Sequence, residues 1–232
     1  NTPILGLTGT YTLLVEGYID AGSGAQGLTI RADEVVNGLN VSALGAQIDA
    51  VIASPGQQQL YTFDVATPTN VLIDALGYDG RFNWTLTYPD GTTVTRAFNA
   101  PFNTNNYYTS NPLLQLGVGQ YTLAIAANAN ATGTASLRII DTATAPLITP
   151  GVPVSGSLAP VGQANVYQLN GQAGDIFYFQ GQQQAGGSAS WQLIDPNGSV
   201  VFSQGFVKPG QFTLSVTGTY DLLLLDQNND YA

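Results

Sequence analysis

An internal repeat constrains the fold of this chain more than any other feature of its sequence. Segment 82–91, which contains Trp84, aligns with segment 189–198, which contains Trp191, 107 positions later. Residues upstream align at a shift of 106 and residues downstream at a shift of 99, so the second copy lacks about eight residues of the Asn-rich stretch 97–111. A nearly constant separation between matching residues, changed by one loop deletion, is typical of two homologous domains. We therefore predict two related modules in tandem.

Strand signals dominate both copies. Short runs rich in β-branched and aromatic residues alternate with Gly, Pro, Asn and Asp, which is typical of β-strands and turns. Pro89-Asp90-Gly91 and Pro196-Asn197-Gly198 indicate hairpins, because Asp-Gly and Asn-Gly accept the positive φ of tight turns. The one helix candidate is the stretch 33–44, where apolar residues have partly helical spacing. The predicted fold class is all-β, with tandem antiparallel β-sandwich modules of jelly-roll-like form.

A third, partial copy of the repeat lies near residue 1. Gly9–Leu14 repeats the Gly-x-Tyr strand, and Gly27–Arg31 repeats the strand pattern of Ser136–Ile140. We therefore expect three regions: closing strands of a partial preceding module in 1–32, a first β-sandwich module in 33–145, and a second β-sandwich module, lacking its last strand, in 146–232.

The surplus strands and the missing strand predict an assembly contact. A sandwich that lacks a strand has an open sheet edge, which pairs readily with a strand offered by another chain. A donor and an acceptor at opposite ends of a chain make head-to-tail contacts, which build a filament unless they close into a ring. Two alternatives stay open at this point: the modules belong to a longer tandem polypeptide, or the ends meet within one chain. The residues assigned to this contact are Gly27, Leu28, Thr29, Ile30, Leu222 and Leu224.

The composition excludes several classes of enzyme. The chain has no His, Cys or Met, so it cannot form a Ser–His–Asp triad, a Cys nucleophile, a zinc finger or a His-ligated metal site. A pair of acids for glycoside hydrolysis is not indicated either, because Glu16 and Glu34 are the only glutamates and most aspartates lie at turns. We expect no enzymatic activity.

The charge balance bears on partners and location. Only 9% of residues are charged, with 5 Lys and Arg against 15 Asp and Glu, which argues against a nucleic-acid partner. Polar residues interrupt every apolar stretch, so membrane insertion is not predicted. The absence of Cys and the scarcity of Lys are typical of a durable, protease-poor material. We expect an extracellular or cell-surface protein.

Calcium is the one cofactor for which the sequence offers ligands. Asp221, Asp226 and Asp230 cluster with two asparagines, and carboxylate and amide oxygens are the ligands that Ca²⁺ prefers. Asp74 and Asp79 form a second candidate pair. The alternative is that these residues make turns and solvate strand ends, since EF-hand spacing is absent.

The aromatic residues fall into two groups. Trp84 and Trp191 occupy equivalent positions in the two copies, which predicts core packing. A second group lies in the stretch that the second copy lacks, and it predicts either a loop that contacts an extracellular glycan or a neighbouring subunit, or a loop packed on itself. Its members are Phe98, Phe102, Tyr107 and Tyr108.

The order of these motifs resembles the bacterial pre-peptidase C-terminal domain. The shared pattern is an early aromatic strand, a strand that ends in Pro-x-Gly, and a Gly-x-Tyr-x-Leu strand. The matching positions are Tyr61, Phe63, Leu86, Pro89, Gly91, Gly119, Tyr121 and Leu123 in the first copy, and Tyr167, Leu169, Leu193, Pro196, Gly198, Gly218, Tyr220 and Leu222 in the second.

The resemblance implies β-sandwich modules that accompany secreted enzymes or form arrays, some of which bind calcium or polymers. No catalytic residue belongs to the shared motif. Together with the surplus and missing strands, it predicts an extracellular structural or adhesive repeat protein of a bacterial surface, which forms a linear fibre by strand complementation or tandem arrangement. The rival hypothesis is a polysaccharide- or protein-binding accessory module of a secreted enzyme.

Overall fold

The computed structural model of the chain describes residues 9–15, 29–30, 38–76, 80–98, 111–159, 163–182 and 189–226. Within these ranges the regular elements are β-strands and one short 3-10 helix, Thr142–Thr144. The predicted all-β fold class is confirmed. None of the described residues belongs to a helix long and apolar enough to cross a membrane.

Nine strands between residues 38 and 141 form two facing sheets. Sheet A has the order β1-β3-β8-β5-β6 and sheet B the order β2-β9-β4-β7. Neighbouring strands are antiparallel except β1 and β3, which are parallel. Their bounds are β1 Gly38–Val41, β2 Gln47–Ile52, β3 Gln58–Val65, β4 Thr69–Ala75, β5 Phe82–Thr87, β6 Thr93–Ala97, β7 Leu114–Leu116, β8 Gly119–Ala127 and β9 Gly133–Asp141.

The core of this first unit lies between sheets A and B. Strands β5 and β8 alternate buried and half-buried residues, as period-2 sequences do when one face is covered. Trp84 is fully buried at the centre of sheet A, which confirms its predicted place in the core. Phe63 and Tyr121 stack nearby with ring centroids 5.5 Å apart. The two inner faces therefore close one hydrophobic core.

Six strands between residues 164 and 226 form a second pair of sheets. Sheet C has the order β10-β15-β12-β13, and sheet D contains only β11 and β14. Trp191 is buried between them beside Phe179, Phe202 and Phe206, which again confirms the predicted core position. The bounds are β10 Ala164–Gly171, β11 Ile176–Phe179, β12 Ala189–Ile194, β13 Val200–Gly205, β14 Gly210–Thr213 and β15 Gly218–Asp226.

Both predicted hairpins are present, and they are built in the same way. Gly91 has φ +84° and Gly198 has φ +83°, the left-handed region that favours glycine. The Gly91 backbone N–H donates to the Tyr88 carbonyl and the Gly198 backbone N–H donates to the Asp195 carbonyl, each at 2.9 Å. A carboxylate caps each turn from a different position, Asp90 after Pro89 and Asp195 before Pro196. Local turn chemistry alone therefore joins β5 to β6 and β12 to β13.

The helix predicted for 33–44 is wrong over the part that the structure describes. Residues 38–41 form strand β1, which pairs with β3 in parallel from Gly38 opposite Gln59 to Val41 opposite Thr62. The short apolar spacing fits a strand as well as a helix, and the unpaired edge of β3 supplies backbone partners that an isolated helical turn would lack. Residues 33–37 lie outside the described ranges.

The two units stack so that the four sheets lie in the order A, B, C, D. The outer face of sheet B packs on the outer face of sheet C, and strands β4, β12 and β15 are consequently buried on both faces. The apolar residues of this junction are Leu72, Leu113, Ile140, Ala145, Ala164, Val166, Ile194, Leu223 and Leu225.

Candidate assembly site

Sheet D is smaller than its counterpart in the first unit, and the difference leaves a strand edge unpaired. In the repeat alignment, with its shift of 106, β11 corresponds to β4. Strand β4 pairs with β7 on one side and with β9 on the other. Strand β11 pairs only with β14, the counterpart of β7, among the described residues. Among the described residues, no strand pairs with the edge of β11 that corresponds to the β9 side of β4, and an unpaired strand edge is a template for another strand.

The side chains of β11 are also incompletely covered. Ile176 and Tyr178 point outward and are 61% and 64% exposed. Phe177 and Phe179 point inward but are only half-buried, although Phe179 packs on Trp191, Phe202 and Phe212. By contrast, Val71 and Ile73 on β4 are buried. Sheet D thus presents both an open edge and uncovered apolar surface at one strand.

The residues predicted as the donor lie partly within the described ranges. Thr29 and Ile30 are exposed and lie outside every strand, Ile30 with 53% of its surface accessible. Gly27 and Leu28 lie outside the described residues.

The residues predicted as the acceptor do not lie at an open edge, and this part of the prediction needs correction. Leu222 and Leu224 are on β15, which pairs with β10 on one side and β12 on the other. Both side chains belong to the core between sheets C and D. The unpaired edge belongs instead to β11, Ile176–Phe179, about 45 residues earlier in the chain.

A buried ion pair ties the two units together at the B–C junction. The Arg138 guanidinium donates from Nε to Asp74 Oδ2 at 3.1 Å, and its Nη2 donates to the Ala164 carbonyl at 3.0 Å. The Ala164 backbone N–H donates to Asp74 Oδ1 at 3.1 Å. Burial raises the pKa of the Asp74 carboxyl to about 6, against the lowering effect of these hydrogen bonds. Asp74 is therefore engaged by protein groups on two sides.

The aspartates predicted to bind calcium are separated by the fold. Asp221 and Asp226 are five residues apart on β15, so their side chains lie on opposite faces of sheet C. Asp221 faces the junction, where Thr142 and Asn70 donate hydrogen bonds to it and burial raises its pKa. Asp230 and Asp79 lie outside the described residues. No group of three acidic side chains that could hold a metal occurs within the ranges that the structure describes, and calcium binding stays a prediction.

The aromatic residues predicted as a contact loop are also divided. Phe98 is buried in the first unit, edge-on to Phe82 with ring centroids 6.2 Å apart, so it is a core residue and not a surface contact. Its backbone N–H donates to the Phe82 carbonyl, which continues the β5–β6 ladder and turns the ring inward. Phe102, Tyr107 and Tyr108 lie outside the described residues.

A groove of about 310 Å³ opens at the junction of the two units. Its polar lining includes Arg138, Asp141, Asn165 and Tyr167. The Asn165 amide already donates to the Ser157 carbonyl at 2.9 Å, while the Arg138 side chain is about one quarter exposed. The groove therefore lies beside the Arg138 guanidinium, which already donates to Asp74 and to the Ala164 carbonyl.

Sequence reasoning missed the β11 edge and the Asp74–Arg138 pair. The signal for the edge was present, because the alignment that equates β10 with β3 also equates β11 with β4. The ion pair left no local signal, since its partners are 64 residues apart and the backbone N–H that completes it comes from the other unit.

Comparisons with known proteins add little to this description. No family model matches the chain, and no curated protein matches it. Among solved structures, the chain is similar to the pre-peptidase C-terminal domain of collagenase from Bacillus anthracis, with 18% identity, a TM-score of 0.33, and coverage of 46% of this chain and 99% of that chain. A likeness at this TM-score carries no argument about fold or activity. The fold rests on the strands and sheets described above.

Proposed function

We propose that this chain is an extracellular structural or adhesive repeat protein whose β-sandwich modules form a linear fibre by head-to-tail strand complementation or tandem arrangement. The observation that carries the proposal is the open edge of β11 in a two-stranded sheet, where the equivalent sheet of the first unit has four strands. One strand added at this edge would give β11 a neighbour on both sides, as β4 has in β7 and β9. The proposed role is mechanical: paired backbones and apolar cores transmit load between modules.

The B–C junction supports this proposal because it illustrates how two modules of this type become one continuous body. Nine apolar residues from both units share the junction core. Asn111 adds a hydrogen bond across it, from its Nδ2 to the Gly198 carbonyl at 2.9 Å. Apolar packing with a few directional contacts is typical of permanent interfaces between domains.

The surface chemistry is consistent with a location outside the cell. Few lysines are present to block strand edges, so an exposed edge such as that of β11 pairs readily. Scarce Lys and Arg also leave few sites for trypsin-like proteases, which suits a long-lived material.

The rival function, a polysaccharide- or protein-binding accessory module, is supported by the groove beside Tyr167 and Arg138. Polar groups of Arg138, Asp141, Asn165 and Tyr167 line this groove, and such groups orient polar ligands in protein clefts. The test is co-sedimentation of the chain with insoluble cellulose or chitin. Binding that Tyr167→Ala abolishes, by a chain that stays monomeric, would favour the rival over the fibre.

The fibre is tested by analytical ultracentrifugation and electron microscopy of the full chain over a range of concentrations. Filaments whose abundance rises with concentration are expected. Tyr178→Lys, which places a charge on the open edge, should reduce polymer formation, because lysines on strand edges oppose pairing. Tyr178 is largely exposed, so the variant should fold.

Gln211→Lys is the matched control, because Gln211 is exposed on β14 and pairs with Tyr178 in the same sheet. Strand β14 corresponds to β7, which is an edge strand in the completed sheet B. Gln211→Lys should therefore polymerise like the unaltered chain. A chain that remains monomeric at every concentration would contradict the fibre.

A further inference from the structure

We infer that polar contacts across the B–C junction determine the orientation of the second unit on the first, and that Asp74 is the main positioning residue among them. The apolar residues of the junction hold the two units together. The polar contacts select one arrangement from those that apolar packing allows. The inference does not depend on the proposed fibre, because it concerns the two units of a single chain.

Apolar packing by itself does not select one orientation of two sheets. The attraction between apolar surfaces is non-directional and depends on the area removed from water. Packed sheets occur both with their strands nearly aligned and with their strands nearly perpendicular. The outer faces of sheets B and C meet through apolar side chains from both units. Directional contacts are therefore needed to fix the angle and the offset between the two sheets.

Strand β4 presents alternating polar and apolar side chains to the second unit. Val71 and Ile73 belong to the core of the first unit. The residues that alternate with them, Asn70, Leu72 and Asp74, therefore lie on the opposite face, towards sheet C. Leu72 packs in the junction core, and the polar residue on either side of it makes a hydrogen bond to the second unit. At a rise of about 3.3 Å per residue, these two polar positions are about 13 Å apart along β4.

The second unit receives the two hydrogen bonds at a matching spacing. Asp74 accepts from the backbone N–H of Ala164, the first residue of β10. Asn70 donates to the carboxylate of Asp221, which lies opposite Gln168, four residues further along β10. Four residues thus separate the contacts on β4 and on sheet C alike. A slide of one residue along the strands would break both, because it would move each donor about 3.3 Å from its present acceptor.

The Asp74–Arg138 pair is also specific for the direction of β10. The Asp74 carboxylate accepts from the Ala164 N–H, and Arg138 Nη2 donates to the Ala164 carbonyl at 3.0 Å. Arg138 Nε donates to Asp74 at 3.1 Å, so the acceptor and the donor are held side by side. A strand running the other way would present its carbonyl to the carboxylate and its N–H to the guanidinium, and neither hydrogen bond would form.

A third polar contact lies away from β4. Asn111 Nδ2 donates to the Gly198 carbonyl in the β12–β13 hairpin. This hairpin is on the opposite side of sheet C from β10, because the strand order is β10-β15-β12-β13. Three points that do not lie on one line define the rotation of a sheet as well as its offset. The polar contacts are therefore distributed as a positioning role requires.

The energetics of a buried ion pair favour positioning over stabilisation. Asp74 is 2% exposed, and removing its charge from water costs free energy that its hydrogen bonds must offset. Replacing such a pair by apolar residues of similar size is often neutral or stabilising, although the geometry that the pair imposed is lost. We therefore expect the orientation of the units and the stability of the chain to respond differently to substitutions in the junction.

Distances between two spin labels measure the orientation, since the chain has no cysteine of its own. Labelled cysteines are introduced in pairs at exposed positions, Thr93→Cys with Gln211→Cys and Val41→Cys with Gln211→Cys. Thr93 and Val41 lie on the two edge strands of sheet A, so the two pairs respond differently to a rotation of the second unit. Electron–electron double resonance should give one narrow distance distribution for each pair in the otherwise unaltered chain.

The decisive variant is the double substitution Asp74→Leu/Arg138→Leu, which makes the junction wholly apolar at this point. Both distance distributions should become about twofold wider or split in two, while the urea midpoint stays the same or rises. Leu72→Ala is the matched control in the same junction, because it removes apolar contacts and leaves the polar ones in place. It should lower the urea midpoint and keep both distributions narrow.

Ala164→Pro tests the contact with the ion pair intact, and it decides the matter if the double variant does not fold. Proline lacks the N–H that Asp74 binds and is tolerated at the first residue of a strand, so both distributions should widen. Narrow distributions in Ala164→Pro and in the double variant would overturn the inference, whatever their urea midpoints. Equal widening in Leu72→Ala would also overturn it, because the orientation would then follow from apolar packing.

Discussion

The outer faces of sheets A and C occupy equivalent positions in the repeat but differ in chemistry. On sheet A the face is half-buried or exposed and largely polar, whereas on sheet C it is apolar and covered by the first unit. The equivalent pairs, sheet A first, are Leu60 and Val166, Thr85 and Gln192, Thr87 and Ile194, Ala124 and Leu223, and Ala126 and Leu225.

Sheet A uses this face for cross-strand pairs of threonines. A row of threonines crosses four strands of the sheet: Thr62 pairs with Thr122, Thr122 with Thr87, and Thr87 with Thr93. Along the sheet, the hydroxyl oxygens of Thr85 and Thr95 are 2.8 Å apart. Such pairs stabilise the outer face of sheet A while keeping it polar, so the face does not pack against another sheet.

This difference between the outer faces of sheets A and C indicates which surfaces of the chain can take a further copy. Face-to-face stacking of the B–C kind requires an apolar outer face, and sheet A does not offer one. Among the described surfaces, strand addition is possible at the edges of the sheets, and the edge of β11 is one whose counterpart in the first unit is paired. The predictions below test this contrast.

The largest effect is expected at the centre of the covered face. Leu223 is fully buried, so Leu223→Asp should lower the free energy of unfolding of the second unit by about 4 kcal/mol, because it buries a lone charge. The equivalent Ala124→Asp lies on the open face of sheet A and should cost less than about 1 kcal/mol. Urea denaturation followed by tryptophan fluorescence reports on both units, since Trp84 and Trp191 lie one in each. Equal losses would contradict the contrast between the faces.

The ion pair of the covered junction should give a distinctive pH dependence. The folded Asp74 carboxyl has its pKa raised to about 6 from an ordinary value near 3.8, so between these values the folded chain holds a proton that the unfolded chain has released. The free energy of unfolding should therefore fall as pH rises from about 4 to about 6, by on the order of 3 kcal/mol. Asp74→Asn should remove the contribution of Asp74 to this fall in urea titrations at each pH, while Asp221, whose pKa burial also raises, keeps its own contribution.

Asp90, in the hairpin of the open sheet A, provides a control of opposite sign. Hydrogen bonds from Thr92 lower the pKa of the Asp90 carboxyl. Its contribution to stability is therefore present at neutral pH and is lost as pH falls through the folded pKa. Asp90→Asn should leave the fall between pH 4 and pH 6 in place. If Asp74→Asn and Asp90→Asn change the profile alike, the assignment to the junction is wrong.

The open face should become adhesive when it is given the residues of the covered one. The triple variant Thr87→Ile, Ala124→Leu and Ala126→Leu reproduces Ile194, Leu223 and Leu225 on sheet A. Because these positions are half-buried on a face that no other sheet covers, the free energy of unfolding should change by less than about 1 kcal/mol, while the apolar patch should promote self-association. Sedimentation velocity against concentration measures this effect for the variant in the Tyr178→Lys background, which suppresses the fibre contact. A variant no more self-associating than that background would show that apolar content alone does not make the face a docking surface.

The smallest effect concerns the threonine pairs. Thr95→Ala removes one hydroxyl from the Thr85–Thr95 pair on an exposed strand, and it should lower the free energy of unfolding by about 0.5 kcal/mol. Urea denaturation of the variant beside Thr95→Ser, which keeps the hydroxyl, measures the loss. A loss of more than about 2 kcal/mol in the free energy of unfolding would mean that the Thr85–Thr95 pair is buried and not solvated.

The features that the sequence predicted correctly are those set by local chemistry. Pro-x-Gly turns fix a positive φ within a few residues, so both hairpins were readable from Gly91 and Gly198. Alternation of apolar residues places one face of each strand inward, so Trp84 and Trp191 could be assigned to the core. These signals repeat in both copies, which is why the all-β fold followed from the sequence.

The predictions that were wrong concern residues whose environment depends on pairing between distant segments. Leu222 and Leu224 belong to a strand whose two neighbours begin about 30 and 55 residues earlier, so nothing near them shows that their strand is central. Phe98 looks like part of a variable loop in the sequence, and the β5–β6 ladder turns it into the core.

By itself, then, the sequence determined that the chain has no His or Cys chemistry, that it repeats, and that its repeats are strands joined by glycine turns. The tertiary structure alone decided which strands lie at the edges of the sheets and which outer face is covered. The physical reason is that turn geometry and side-chain alternation are properties of a few adjacent residues. A free edge and a buried face are relations between strands, and they exist only once the sheets have assembled.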